Sequence, residues 1–162
     1  MAADLSLRTA TFATPLGALT VVMSRDGVVA TAGGDPRDLL ASFPGVQAAD
    51  LPGVGRELDA YFAGRLRRFR TPVDLASIPT PFARAVLEVT RGIPYGEMWT
   101  YGDVAGMAGR PGAARAAGSA LARCPIELFV PCHRVVPAGA GLGHYGGETD
   151  RRLRLLRLER AI

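Results

Sequence analysis

"TYGDVAGMAGRPGAARAAGSALAR", residues 100–123, holds two short helical segments and the turn between them. Thr100 stands where an N-cap is needed, and Asp103 follows at the three-residue spacing of a capping box, so the first helix starts at Tyr101. "RPG" (110–112) interrupts it, and "AARAAGSALAR" resumes helical composition. Two short helices joined by a tight glycine-containing turn make the helix-turn-helix arrangement, which DNA-binding proteins use and which ordinary pairs of core helices also produce.

The second helix is unusually smooth. Ala113, Ala114, Ala116, Ala117, Gly118 and Ala120 surround one long side chain, Arg115. Reading a major groove needs several long polar side chains, and these are missing. A smooth helix can instead approach a minor groove with one arginine projecting into the duplex, or pack tightly against a neighbouring helix. Both readings stand at this point.

Upstream, "TPFARAVLEVTRGI" (80–93) has Thr80 as a cap and Pro81 in the first turn. Phe82, Val86, Val89 and Ile93 fall on one face. Downstream, "ETDRRLRLLRLERAI" (148–162) is an amphipathic helix with Leu153, Leu156 and Leu158 inward and its five arginines on a solvated face. The amino-terminal part reads differently. "LRTATFA", "ALTVVMS" and "VVATA" are three short antiparallel strands separated by turn residues, and "GRELDAYFAGRL" (55–66) is helical. Pro72, Pro79 and Pro81 crowd the passage between the two halves, which places a boundary near residue 76. The expected class is α+β: a small amino-terminal antiparallel sheet with helices over 1–76, then a mostly helical domain over 77–162.

Composition narrows the function. The net charge is +4 with arginine as the only basic side chain besides His. Residues 1–80 carry eight Arg and eight acids, whereas 81–162 carry eleven Arg and seven acids, so the whole excess lies in the second half. A bound polyanion would meet that half, although solvated arginines account equally well for so small an excess. No apolar run spans a bilayer and no signal peptide is visible, so a cytoplasmic protein without a membrane partner is expected. Two cysteines, Cys124 and Cys132, do not form a disulfide framework.

"FVPCHRVVPAG" (129–139) puts Cys132, His133 and Arg134 inside an apolar run that reads as buried strand. A thiol becomes a useful nucleophile when a histidine backed by an acid takes its proton, and Glu159 on the last helix could be that acid. Adjacent side chains on a strand point to opposite faces, so a bend is required, and Pro131 supplies a place for one. Zinc is the competing explanation for Cys124, Cys132, His133 and His144, but the short chelating pairs of a zinc site are absent. A buried, inert Cys132 is a third reading; it leaves His133 and Arg134 unexplained.

The strings "PCHRVV", "IPYGE", "TYGDVA", "RPGAARAAGSALA" and "HYGG", in this order and spacing, resemble the O6-alkylguanine-DNA alkyltransferase family. "TPLGALT" and "LDAYFAGRL" resemble its amino-terminal domain. The resemblance implies a ribonuclease H-like first domain and a winged helix-turn-helix second domain. It also implies single-turnover repair of double-stranded DNA containing O6-alkylguanine, with O4-alkylthymine a further substrate, by a monomer that needs no cofactor and no metal. By resemblance, Cys132 accepts the alkyl group, His133 acts on it through a water, and Glu159 holds His133. Arg115 fills the gap left by a flipped base, while Ala113, Ala114, Ala116, Ala117 and Gly118 belong to the DNA-binding helix. Tyr101 pushes on the phosphate backbone and protonates N3 of the leaving guanine. Tyr145 and the Gly146 amide hold O6, and the carbonyls of Cys132 and Val135 receive the exocyclic amine. The family asparagine that ties the loop to the base pocket is Cys124 here, and a thiol is a poor substitute for an amide. Two rival functions remain, a non-catalytic sensor of alkylated bases and a cysteine hydrolase.

Overall fold

The computed structural model describes residues 6–139 and 149–162. The chain divides into two compact units. One runs to Ser77 and includes Pro125–Phe129; the other comprises Ile78–Cys124 and the chain from Val130 onward.

In the first unit, β1 (Arg8–Thr14), β2 (Gly17–Met23) and β3 (Val28–Gly33) form the expected antiparallel meander. Thr14 holds the first turn: its hydroxyl donates to Gly17 O at 2.6 Å and accepts from Leu16 N at 3.1 Å. Four successive β2 residues, Leu19 to Val22, are buried, because β2 is an inner strand with both faces covered. One strand was not expected. After α1 (Arg37–Ala41), β4 (Gln47–Ala48) joins the free edge of β1 in parallel, with Gln47 opposite Arg8. The sheet is therefore mixed rather than wholly antiparallel, in the order β3-β2-β1-β4. A two-residue strand carries no alternation that a sequence could display.

Helix α2 (Pro52–Phe62) buries Val54, Leu58 and Tyr61 at helical spacing. Tyr61 packs on Phe69 (5.2 Å between centroids), and Phe69 packs on Phe129 (4.7 Å). Thr31 ties in the same late segment: its amide donates to Pro125 O at 2.8 Å, and its hydroxyl accepts from Glu127 N at 2.8 Å. The apolar residues before Cys132 are thus buried, but as an irregular segment with Leu128 at φ 69°, not as the strand expected.

In the second unit, α3 (Pro81–Arg91) starts where predicted, with the Thr80 hydroxyl accepting from Ala83 N at 3.1 Å. Its buried face is Val86, Leu87 and Thr90, continued by Ile93; Phe82 and Val89 are only half-buried. Phe82 instead carries the Arg110 guanidinium, 4.9 Å from its ring centroid. The capping box of α4 (Tyr101–Met107) is complete: Thr100 and Asp103 exchange amide-to-side-chain hydrogen bonds at 3.0 Å each. Gly109 ends this helix at φ 95°, with Gly109 N on Gly106 O and Arg110 N on Ala105 O, the paired bonds of a Schellman cap. Then α5 (Ala114–Ala122) begins. Two parallel two-residue strands, β5 (Trp99–Thr100) and β6 (Val135–Val136), pair Trp99 with Val135 and Thr100 with Val136.

Helix α6 (Thr149–Leu158) buries Leu155 and Leu156, while Leu153 and Leu158 are half-buried. The expectation that its arginines are all solvated is corrected. Arg152 is 1% exposed, on the same side of the helix as Leu155, Leu156 and Glu159.

Candidate active site

Pro131 ends the irregular segment, and Cys132–Arg134 then form one 3₁₀ turn closed by Arg134 N on Pro131 O at 2.9 Å. A 3₁₀ turn advances about a third of a revolution per residue, so three successive side chains diverge in three directions. This is the bend that adjacency in the sequence required. All three side chains are buried, His133 completely and Cys132 to 5% exposure.

Glu159 follows the last turn of α6, is 1% exposed, and lies 2.8 Å from His133 Nε2 through Oε2. Burial pushes its carboxyl up. The hydrogen bonds and charges of His133 and Arg134 more than offset that, and the group is lowered to about 2. A carboxylate can only accept, so Nε2 carries a proton and donates it to Glu159, while Nδ1 is also fully buried.

Arg134 was not assigned a place in the site from the sequence, yet all three of its guanidinium nitrogens are hydrogen-bonded there. Its Nε and Nη2 grip Glu159 side-on, each at 2.8 Å, and its Nη1 donates to Ile93 O at 2.8 Å. The guanidinium carbon lies 5.7 Å from the Tyr95 ring centroid, and Tyr95 OH donates to Leu158 O at 3.2 Å. The loop after α3 therefore closes over the end of α6. The one signal available in the sequence was an arginine in an apolar run.

Val135 follows the turn directly, and its pairing with Trp99 links Cys132 to α4. Tyr101, the first residue of α4, is half-buried, and its ring lies against Gly118 of α5. A Cβ on Gly118 would stand 3.8 Å from Tyr101 Cδ1. On α5, Arg115 and Ala116 are exposed, and Ala113, Ala114 and Gly118 are partly so. Ala117 does not belong with them. It is 0% exposed, packed inward with Leu121, so one of the four alanines expected along DNA is a core residue. Cys124 is half-buried two residues past α5. Tyr145 and Gly146, like His144, lie outside the described residues.

Two family models cover almost the whole chain: the 6-O-methylguanine DNA methyltransferase ribonuclease-like domain over residues 7–75, and the DNA binding domain of the same name over 81–161. The chain belongs to the 6-O-methylguanine DNA methyltransferase family. A methylated-DNA--protein-cysteine methyltransferase of Mycobacterium leprae is 49% identical over 104 residues, 64% of this chain and 62% of the relative. The matched stretch is thus under two thirds of that relative's length. A protein of the same name from Salmonella typhimurium is 43% identical over 114 residues, 70% of this chain and 66% of the relative. Among solved structures, Mycobacterium tuberculosis OGT in complex with DNA superposes with a TM-score of 0.83 at 35% identity. That match covers 95% of this chain and 93% of the other. The α+β class with an amino-terminal ribonuclease-like unit and a helical DNA-binding unit is that of the methyltransferase family.

Proposed function

We propose that the protein repairs DNA by moving an alkyl group from O6 of guanine, and from O4 of thymine, irreversibly onto Cys132. The observation that carries this reading is a buried Cys132 on the same 3₁₀ turn as a histidine whose Nε2 is fixed by a buried, ionised Glu159. Family membership and the likeness to a DNA complex support it.

In this reading the thiol proton passes through a water to Nδ1 of His133. The thiolate sulfur attacks the alkyl carbon, a carbon–sulfur bond forms, and the carbon–oxygen bond breaks with its electron pair going to O6. Tyr101 supplies the proton that neutralises the guanine at N3. The product is a thioether, which water does not hydrolyse as it would an acyl-enzyme, so each molecule acts once. The target carbon is inaccessible within a duplex, and the nucleotide must be flipped out at a cost of a few kcal/mol. Arg115, with Ala113, Ala114, Ala116 and Gly118 beside it, enters the minor groove and fills the vacated stack. Tyr145, Gly146 and the carbonyls of Cys132 and Val135 hold the base, and Cys124 stands beside that pocket. The chain works as a monomer, without a cofactor, in the cytoplasm, where the thiol stays reduced.

The test is the mass of the protein after incubation with an O6-methylguanine duplex. A single added methyl, located on Cys132 and absent in Cys132→Ala, is the expected result. Multiple turnover on a small acyl ester would establish a hydrolase instead, and tight binding without modification would establish a sensor.

A further inference from the structure

We propose that Thr31 is a positioning residue for Cys132: from the outer strand of the sheet it clamps a strained backbone turn a few residues ahead of the thiol. The proposal rests on the alkyl-transfer reading for its consequence, though not for its geometry.

The chain enters the Cys132 turn through two tight bends. Phe129 N donates to Glu127 O at 2.8 Å around Leu128, whose φ is 69°. This is the strained form of the three-residue γ-turn, in a region that is costly for any residue with a side chain. Cys132 N then donates to Val130 O at 2.8 Å around Pro131, at φ −79° and ψ 65°, which is the relaxed inverse form. One costly bend and one easy one thus set the direction in which the Cys132–Arg134 turn begins.

A conformation like that of Leu128 persists only where its surroundings over-determine it, and such strain gathers at functional sites. Thr31 and Phe69 supply the hold. Thr31 lies in β3, the outer strand, and pairs with Val21 on its inner side. On its outer side its amide donates to Pro125 O and its hydroxyl accepts from Glu127 N, each at 2.8 Å. One residue therefore grips the segment on both sides of Ile126, and the second grip falls on the residue that opens the strained bend. Phe69 packs on Phe129 at the other end of that bend, and Ile126, Leu128 and Phe129 are all buried. Thr31, Phe69 and the gripped residues belong to the first unit, and the chain passes into the second at Val130. Thr31 acts through the backbone, along the three residues from Phe129 to Cys132. Its loss should be read in the rate rather than in DNA binding, because a small misplacement of a reacting atom is costly to chemistry.

The experiment compares Thr31→Val and Thr31→Ser with the unsubstituted protein. Valine keeps the branched shape and the amide bond to Pro125 O but removes the acceptor for Glu127 N. Single-turnover methyl transfer at saturating duplex should slow by about tenfold, and transfer from the free modified base by the same factor, with duplex affinity unchanged. Thr31→Ser restores the hydroxyl and should restore both rates. Amide hydrogen exchange in the DNA-free protein reads the placement directly. The Cys132 and Arg134 amides, bonded to Val130 O and Pro131 O, should exchange roughly fivefold faster in Thr31→Val and at the original rate in Thr31→Ser. A merely structural hydroxyl would lower the urea midpoint while leaving the transfer rates unchanged and confining faster exchange to the first unit. That result, or a Thr31→Ser protein as slow as Thr31→Val, would overturn the proposal. If Thr31→Val does not fold, Phe69→Leu decides by slackening the other hold: slower transfer at unchanged duplex affinity supports the clamp, and an unchanged rate overturns it. If the unsubstituted protein transfers no methyl, the functional reading fails separately, while exchange at Cys132 and Arg134 still tests the clamp.

Discussion

The carboxylate of Glu159 and Nε2 of His133 meet at 2.8 Å across 26 residues of chain, and both side chains are almost wholly withdrawn from solvent. This contact makes stability depend on pH with a definite sign. Glu159 is lowered to about 2 from 4.5, so the native state holds its proton less tightly than the unfolded chain does. The stabilisation is complete above about 4.5 and is lost as pH falls from there toward 2. Urea midpoints measured down this range should fall, and the part due to Glu159 should vanish in Glu159→Gln. That variant leaves Arg134 buried beside a neutral group and should cost about 3–5 kcal/mol at neutral pH.

Arg115 is exposed on α5, so Arg115→Ala should change the urea midpoint by no more than about 0.5 kcal/mol. Transfer from an O6-methylguanine duplex should slow by tenfold or more, while transfer from the free modified base should be unaffected. A matching loss on the free base would remove Arg115 from base flipping.

Ala116 and Ala117 are neighbours with opposite surroundings, one exposed and the other 0% exposed. Ala117→Leu forces bulk into a packed interface and should cost about 1–3 kcal/mol. Ala116→Leu should leave stability nearly unchanged and weaken duplex binding, by holding the helix off the groove. Comparing thermal melts with DNA titrations of both variants separates a packing role from a groove-facing one.

Arg160 adopts φ 58° directly after Glu159 and closes α6 with Ala161 N on Leu156 O and Arg160 N on Arg157 O. This is the same cap that Gly109 makes on α4, built with a residue for which that region is costly. Arg160→Gly should therefore stabilise the protein by about 0.5–1 kcal/mol, and Gly109→Ala should destabilise it by about 1–2 kcal/mol. Both differences are measurable in chemical denaturation, and equal effects at the two sites would refute the shared geometry.

Local signals were the legible ones. Thr80 and Thr100 marked their helix starts because capping uses side chains within three residues of the amide they satisfy. Turn chemistry likewise placed β1, β2 and β3. Strand β4 left no trace, since its two residues pair through backbone alone. Cys132, His133 and Glu159 could be proposed together from chemistry, but the 3₁₀ turn that lets adjacent side chains diverge is a matter of backbone angles. Arg134, Arg152 and Ala117 were placed wrongly or not at all for one reason. Arginines are usually solvated, and alanine is indifferent to burial, so only tertiary neighbours distinguish the exceptions. The partners of Arg134 lie 25 and 41 residues away.

The pairing of β5 with β6 has only two rungs, Trp99 with Val135 and Thr100 with Val136. It nevertheless works as a gauge. Side chains alternate along a strand, so a slip of one position would turn every residue of the pair to the opposite face. Thr100 is at once the upper rung and the cap of α4, so such a slip would also rotate Tyr101 relative to the turn that carries Cys132. Substitutions at Trp99, Thr100 or Val136 can thus detune the chemistry by altering alignment alone, while every reacting side chain remains in the protein.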